Sequence, residues 1–215
     1  MLRNVVDPLD SEFSSQELQT YTVPYVATIV NDKAQTYGTS KKEAIDRASQ
    51  HISEKAAECP GTKFGLTGFS QGADAAGDLA SKIGNGEGPV SADRIFAVGL
   101  MADPGQSPTA GIQLGTKTTG NGFVGARAEG FGTLNNVTAS VCDPDDTYCN
   151  TPDDAIATQF VGQLGSKIDA SDPASSVAGV VTTLLGLDGQ PLTDTLGKLN
   201  TAVTTGNMLT VPQLA

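Results

Sequence analysis

The pentapeptide Gly68-Phe69-Ser70-Gln71-Gly72 has the form G-x-S-x-G, in which a serine sits on a sharp strand-to-helix turn and stands exposed above a sheet. The two glycines keep Cβ atoms out of the crowded backbone of such a turn. The flanking residues fit: Lys63 to Thr67 reads as a short buried strand, and Ser70 to Ile83 as a helix with Ala73, Ala76, Leu79, Ala80 and Ile83 on one side. Gly84 is the expected C-terminal cap. A nucleophilic Ser70 would face the positive end of this helix, with the backbone N–H of Gln71 as an oxyanion donor worth about 3 kcal/mol. The bland alternative is a glycine-flanked turn without chemistry; the strand before it and the helix after it favour the nucleophile.

A second candidate lies downstream, where Cys142 and Cys149 bracket Asp143, Asp145 and Asp146. A C-x6-C pair suits a local disulfide, with two reduced thiols or half a metal site as alternatives. A disulfide favours an oxidising compartment and leaves Cys59 as half of a bridge without its partner. The three carboxylates fit a catalytic acid, a solvated turn or a weak cation site, and the residues alone do not choose among them. His51 is the single histidine of the chain; it lies on the helix before the elbow and reads as a surface or half-buried helix residue. No metal constellation, calcium loop or phosphate-cradling glycine loop is visible, so no metal and no cofactor are expected.

The elements that must position these residues follow from periodicity. Met1 to Gln19, rich in Asp, Ser and Pro, reads as irregular, and a short strand is expected to end near Val23, where Pro24 removes a ladder donor. Ser40-Lys41-Lys42-Glu43 has the capping-box pattern and predicts a helix start, with Ala44, Ala48, Ile52 and Ala56 as its apolar stripe through to Glu58. Arg94 to Met101, closed by Asp103-Pro104-Gly105, and Val137 to Val141 read as further strands. Residues 105 to 135, loaded with Gly and Thr, read as a long loop with at most short strands. Ser175 to Val203 carries an apolar pattern broken at Gly186 to Pro191 and predicts two short amphipathic helices. Alternating helices and strands imply an α/β fold with a mostly parallel sheet.

The whole-chain properties exclude several classes. A length of 215 residues suits one domain plus a tail. A net charge of −11 argues against nucleic acid, whose phosphates need clustered Lys and Arg. No apolar run approaches the roughly 20 residues of a transmembrane helix, and no apolar signal core follows the N-terminus. A monomer is expected, with an open, shallow site, because aromatics make up only 5% of the chain.

The run from Cys59-Pro60-Gly61-Thr62-Lys63 through Gly68-Phe69-Ser70-Gln71-Gly72-Ala73 resembles the cutinase-like family, and Asp103-Pro104 after the next strand is similar to it as well. Cys142-Asp143-Pro144-Asp145-Asp146-Thr147-Tyr148-Cys149 fits the family's C-x3-D-x2-C loop, in which a disulfide holds the triad Asp. The likeness spans roughly residues 20 to 165 and is closest to exported proteins of mycolic-acid bacteria. It implies an α/β-hydrolase three-layer sandwich, here lacking the usual first strand. The domain would cover residues 1–165, including an irregular segment 1–19, with residues 166–215 as a C-terminal extension. It also implies a carboxylic ester hydrolase, secreted or in the cell envelope, that acts on acyl esters or lipids. Ser70 would be the nucleophile, Gln71 the oxyanion donor and Asp146 the orienting acid. Two departures stand out. The family's base, a His about a dozen residues after the Asp, has Thr158, Gln159 and Phe160 near its place. Nothing before Leu18 matches the family's first strand with its Cys and Arg-Gly-[Ser/Thr] turn, as in a shortened version of an exported protein. The lost base raises the alternative of a catalytically impaired lipid-binding or envelope-regulating module.

Overall fold

The computed structural model describes residues 2–29, 35–152 and 155–168. Its centre is a four-stranded sheet of β1 (Phe64–Phe69), β2 (Ile95–Met101), β3 (Ile112–Gln113) and β4 (Thr138–Val141), in the order β1-β2-β4-β3. Every pairing is parallel. Helix α1 is Arg3–Glu12, α2 is Tyr37–Glu58, α3 is Gln71–Gly84 and α4 is Ile156–Lys167. The long loop after β2 holds the two residues of β3 and, at its end, the 3-10 helix Gly132–Val137, with no longer strand.

The pleat divides the sheet into two faces. Leu66, Val98, Leu100 and Thr138 point to one side, where Val98, Leu100 and Thr138 are buried. Helix α3 lays Ala73, Leu79, Ala80 and Ile83 against that side, and Phe131 and Leu134 close the cluster. Each such large aliphatic side chain contributes about 1.5–3 kcal/mol on burial. Helix α2 packs on α3, its buried Ala44 and Ile52 lying on the expected stripe, and α4 packs on α2. On the other face Gly65, Thr67, Ala97, Val141 and Ile112 are exposed, with the ring of Phe96 against Gly65.

Four local expectations are corrected. The first segment is not wholly irregular, because Arg3–Glu12 is helical despite Pro8; its apolar stripe of Val5, Leu9 and Phe13 is exposed. No strand ends at Val23. Residues 20–28 take no ladder, and side chains hold them instead: Val26 N donates to Glu43 Oε2, and Thr28 N donates to Ser40 Oγ. Ser40 and Glu43 therefore do not form a capping box; α2 begins four residues earlier, where Thr36 Oγ1 accepts from Thr39 N. Gly84 is not the cap either, since it is the last helical residue and Asn85 takes the cap position, and Gly86 takes the left-handed φ of +86°. The helices expected within Ser175 to Val203 lie outside the described residues.

Gly84 is required by contact rather than by conformation, because a Cβ there would overlap the carbonyl oxygen of Phe131. Alanine at an open helical position would gain about 1 kcal/mol; here overpacking against backbone reverses the sign. Gly84→Ala is expected to lower the unfolding free energy by about 1–3 kcal/mol in a urea titration. Gly61→Ala, where a Cβ meets nothing within 4 Å, should leave the midpoint unchanged.

Candidate active site

The chain turns from β1 into α3 at a single residue. Ser70 has φ 53° and ψ −125°, one of three non-glycine residues among those described with positive φ. Such a conformation costs on the order of 1–3 kcal/mol and persists only where the surroundings enforce it. Ser70 N donates to Met101 O at 3.0 Å, and Ser70 O accepts from Ala73 N and Asp74 N, so one residue ends the ladder and starts the helix. Gly68 approaches Gly72 so closely that a Cβ on Gly68 would overlap the carbonyl of Gly72. Gly68 is thereby explained, whereas a Cβ on Gly72 would meet only the Tyr25 hydroxyl at 3.6 Å.

The first turn of α3 presents the N–H of Gln71, which has no acceptor among the described residues. The Gln71 side chain points away from that role and is fixed on both ends. Its Nε2 donates to Thr28 O at 2.9 Å, and its Oε1 accepts from Ser40 Oγ at 3.1 Å. The residue thus pins the 26–28 segment and the start of α2 to the elbow.

Asp146 follows β4 at the same, C-terminal edge of the sheet, with β2 between it and Ser70, so the two strand ends lie ~10 Å apart. Cys142 and Cys149 form the expected disulfide, and both are buried. Within that loop Asp146 Oδ1 accepts from Tyr148 N at 2.9 Å, and its carbonyl accepts from Cys149 N and Asn150 N. Asp143 Oδ1 accepts from Asp145 N, and both of those residues are exposed whereas Asp146 is half-buried. An open depression of about 400 Å³ lies beside the loop, lined by Thr119, Gly120, Pro144, Asp145, Thr147 and Asn150.

No histidine joins these residues. His51 stacks on Tyr21 with ring centroids 3.7 Å apart, in keeping with a half-buried helix residue. At the place expected for a base, Gln159 Nε2 donates to Pro152 O and Phe160 is 2% exposed, so both serve the packing of α4. Among the described residues Ser70 Oγ has no hydrogen-bond partner.

A cluster of charges that sequence reading missed stands one turn below the elbow. Asp74 and Asp78 of α3 meet Lys41 of α2 at 3.1 and 3.0 Å, and Arg127 at 3.1 and 2.8 Å. Arg127 also pairs with Asp103 at 2.7 Å, and Tyr37 donates to Asp74 Oδ2. Burial pushes the carboxyl of Asp74 upward despite Lys41, whereas the more exposed Asp78 is held low because Lys41 and Arg127 outweigh its burial. Burial opposes the charge on Lys41 and Arg127, and the surrounding aspartates nevertheless raise both. The available signal was a pair of aspartates at i and i+4 on the face of the elbow helix opposite its apolar stripe.

A model of the cutinase family matches residues 2–168. The chain belongs to the cutinase family. It is 32% identical over 172 residues to "Carboxylesterase Culp6 homolog" of Corynebacterium glutamicum, a match covering 69% of this chain and 56% of that protein. The chain thus spans little more than half the length of that relative. To Carboxylesterase Culp1 of Mycobacterium tuberculosis it is 28% identical, over 80% of this chain and 70% of that protein. The fold is similar to the catalytic core domain of acetyl xylan esterase from Trichoderma reesei, with TM-score 0.59, 23% identity and 83% and 88% of the two chains covered. It is similar also to a cutinase-like protein from Cryptococcus sp., with TM-score 0.55, 20% identity and coverage of 84% and 80%. These likenesses establish the α/β-hydrolase fold of the cutinase type.

The charge cluster predicts an alkaline limit. Burial first, and then Asp74, raise the Tyr37 phenol above its usual 10.0, and Lys41 is raised above its usual 10.5. The unfolded chain releases both protons first, so their stabilisation is complete below about pH 10 and is lost as pH rises beyond it. Thermal midpoints are expected to fall above about pH 10, with a shallower fall in Tyr37→Phe.

Proposed function

We propose that this cutinase-family chain is a serine carboxylesterase acting on exposed acyl esters, with Ser70 as nucleophile, the Gln71 N–H as oxyanion donor and Asp146 as the orienting acid. The observation that carries this reading is the positive φ of Ser70 on the strand-to-helix turn, next to a Gly68 that packs directly on the backbone of Gly72. Ser70 Oγ would add to the ester carbonyl, the C–O bond to the alcohol would break, and water would then release the acid from the acyl-enzyme. The disulfide supports an exported or cell-envelope location. We further read residues 1–165 as one domain, 166–215 as an extension, and the chain as a monomer.

The proton of Ser70 has no histidine to receive it in the place the family uses. Loss of that partner alone costs on the order of 10⁶ in kcat in a serine hydrolase, so slow turnover is expected. The same loss favours the second reading, a lipid-binding module of the envelope that keeps the fold without catalysis.

The test is hydrolysis of p-nitrophenyl butyrate together with labelling by a fluorophosphonate, in the wild type and in Ser70→Ala. Slow turnover and labelling confined to the wild type are expected. Equal rates in both proteins, with no label at Ser70, would sink the esterase and leave lipid binding as the reading to pursue with vesicles.

A further inference from the structure

The geometry points to Arg127 as a positioning residue that sets the Asp146 loop against the Ser70 elbow; this rests on the esterase reading above. Arg127 comes from the loop that follows β3 and is almost wholly enclosed, with 8% of its side chain exposed. Every N–H of its guanidinium is directed at an acceptor. Toward α3, Nε donates to Asp78 Oδ1 at 2.8 Å, and Nη2 donates to the carbonyl of Asp74 at 2.9 Å and to its Oδ1 at 3.1 Å. Toward the turn after β2, Nη1 donates to Asp103 Oδ2 at 2.7 Å and to the Gly105 carbonyl at 2.8 Å, while Nη2 reaches Asp103 Oδ1 at 3.1 Å. The guanidinium lies flat against backbone on both sides: a Cβ on Gly77 of α3 would overlap it, and a Cβ on Gly105 would come within 2.7 Å.

From that turn an unbroken set of hydrogen bonds leads to the acidic loop. Asp103 Oδ1 accepts from Gly105 N, Pro104 O accepts from Val124 N, and Gln106 O accepts from Gly122 N. The 120–124 strip then meets the far side: Phe123 N donates to Tyr148 O, Thr151 N donates to Asn121 O, and Gly120 N donates to Asn150 Oδ1. Tyr148 N is itself the group that holds the Asp146 carboxylate. The elbow and the acid are thus joined through Arg127, although neither touches it. A planar five-donor fork is needed to serve two directions at once, which a lysine ammonium cannot do.

The experiment compares wild type, Arg127→Lys and Asp103→Asn for kcat and KM on p-nitrophenyl butyrate, and for amide hydrogen exchange along the chain. Asp103→Asn keeps an oxygen for Gly105 N and serves should Arg127→Lys fail to fold. The expected result is a loosening of the Asp146 loop read by exchange rather than by kcat, because an acid without its base adds nothing to the rate. Faster exchange confined to Phe123, Val124 and Thr151 should accompany it, with β1 and β2 amides unchanged. Unaltered exchange at those three amides, or faster exchange spread evenly over the domain, would overturn the inference and leave Arg127 as a stability residue. A wild type that neither turns over nor labels at Ser70 ends the esterase reading instead, and the exchange pattern alone then decides whether Arg127 couples the two loops.

Discussion

The structure depends on forcing a strand into a helix at one residue. Ser70 must end β1 through Met101, start α3 through Ala73 and Asp74, and hold a positive φ while doing both. That conformation is unfavourable on its own, and only the close approach of Gly68 to Gly72 makes room for it. The rest of the fold acts on the same point from three sides. Helix α3 buries Ala73, Leu79, Ala80 and Ile83 on the sheet, the Gln71 side chain ties the elbow to α2 and the 26–28 segment, and Arg127 ties it to the turn after β2. A half-buried serine at the sheet edge is thereby supported by contacts it does not itself make.

The buried charges are an expensive way to supply part of that support. Three aspartates face one lysine and one arginine, which leaves one negative charge in excess within the cluster. Apolar residues of the same volume often stabilise a core as well or better, whereas removing one partner of a buried pair costs about 3–5 kcal/mol. What apolar residues cannot supply is direction. The forked geometry of Arg127 fixes α3, the 103–105 turn and its own loop at defined distances, and the Tyr37 hydroxyl and Lys41 bring in α2. The cluster therefore sits where orientation is worth more than stability.

Legibility in the sequence followed the range of the interactions. The elbow, its strand and its helix were readable because the pentapeptide, the apolar stripe and the strand are contiguous. The parallel sheet was readable from the alternation of elements. The disulfide was one of several readings of a spacing, and the structure selects it. The start of α2 was misplaced because Thr36 caps the helix, which frees Ser40 and Glu43 to hold a segment some fifteen residues upstream. Helix α1 was hidden by Pro8 and by a run of polar residues with no packing partner to reveal it. The charge cluster was invisible because its six residues come from α2, α3 and two loops, and only Asp103 carried a local motif. Within the site, the serine and its amide donor could be read from order along the chain, while the positioning of the acid could be read only from contacts.

The proposed site divides into an electrostatic half and a proton-transfer half, and they have different fates. The N–H of Gln71 lies open at the start of α3, and Asp146 uses Oδ1 to hold its loop while Oδ2 makes no hydrogen bond among the described residues. Those parts can still stabilise a developing oxyanion and orient a base. The base itself is lacking where Gln159 and Phe160 are committed to α4. An alkyl ester needs a proton delivered to its leaving alkoxide, but a phenolate leaves without one. A site of this composition would therefore discriminate among esters by the basicity of the leaving group far more steeply than a complete triad does, because the surviving half stabilises charge on the carbonyl oxygen and does nothing for charge on the departing one.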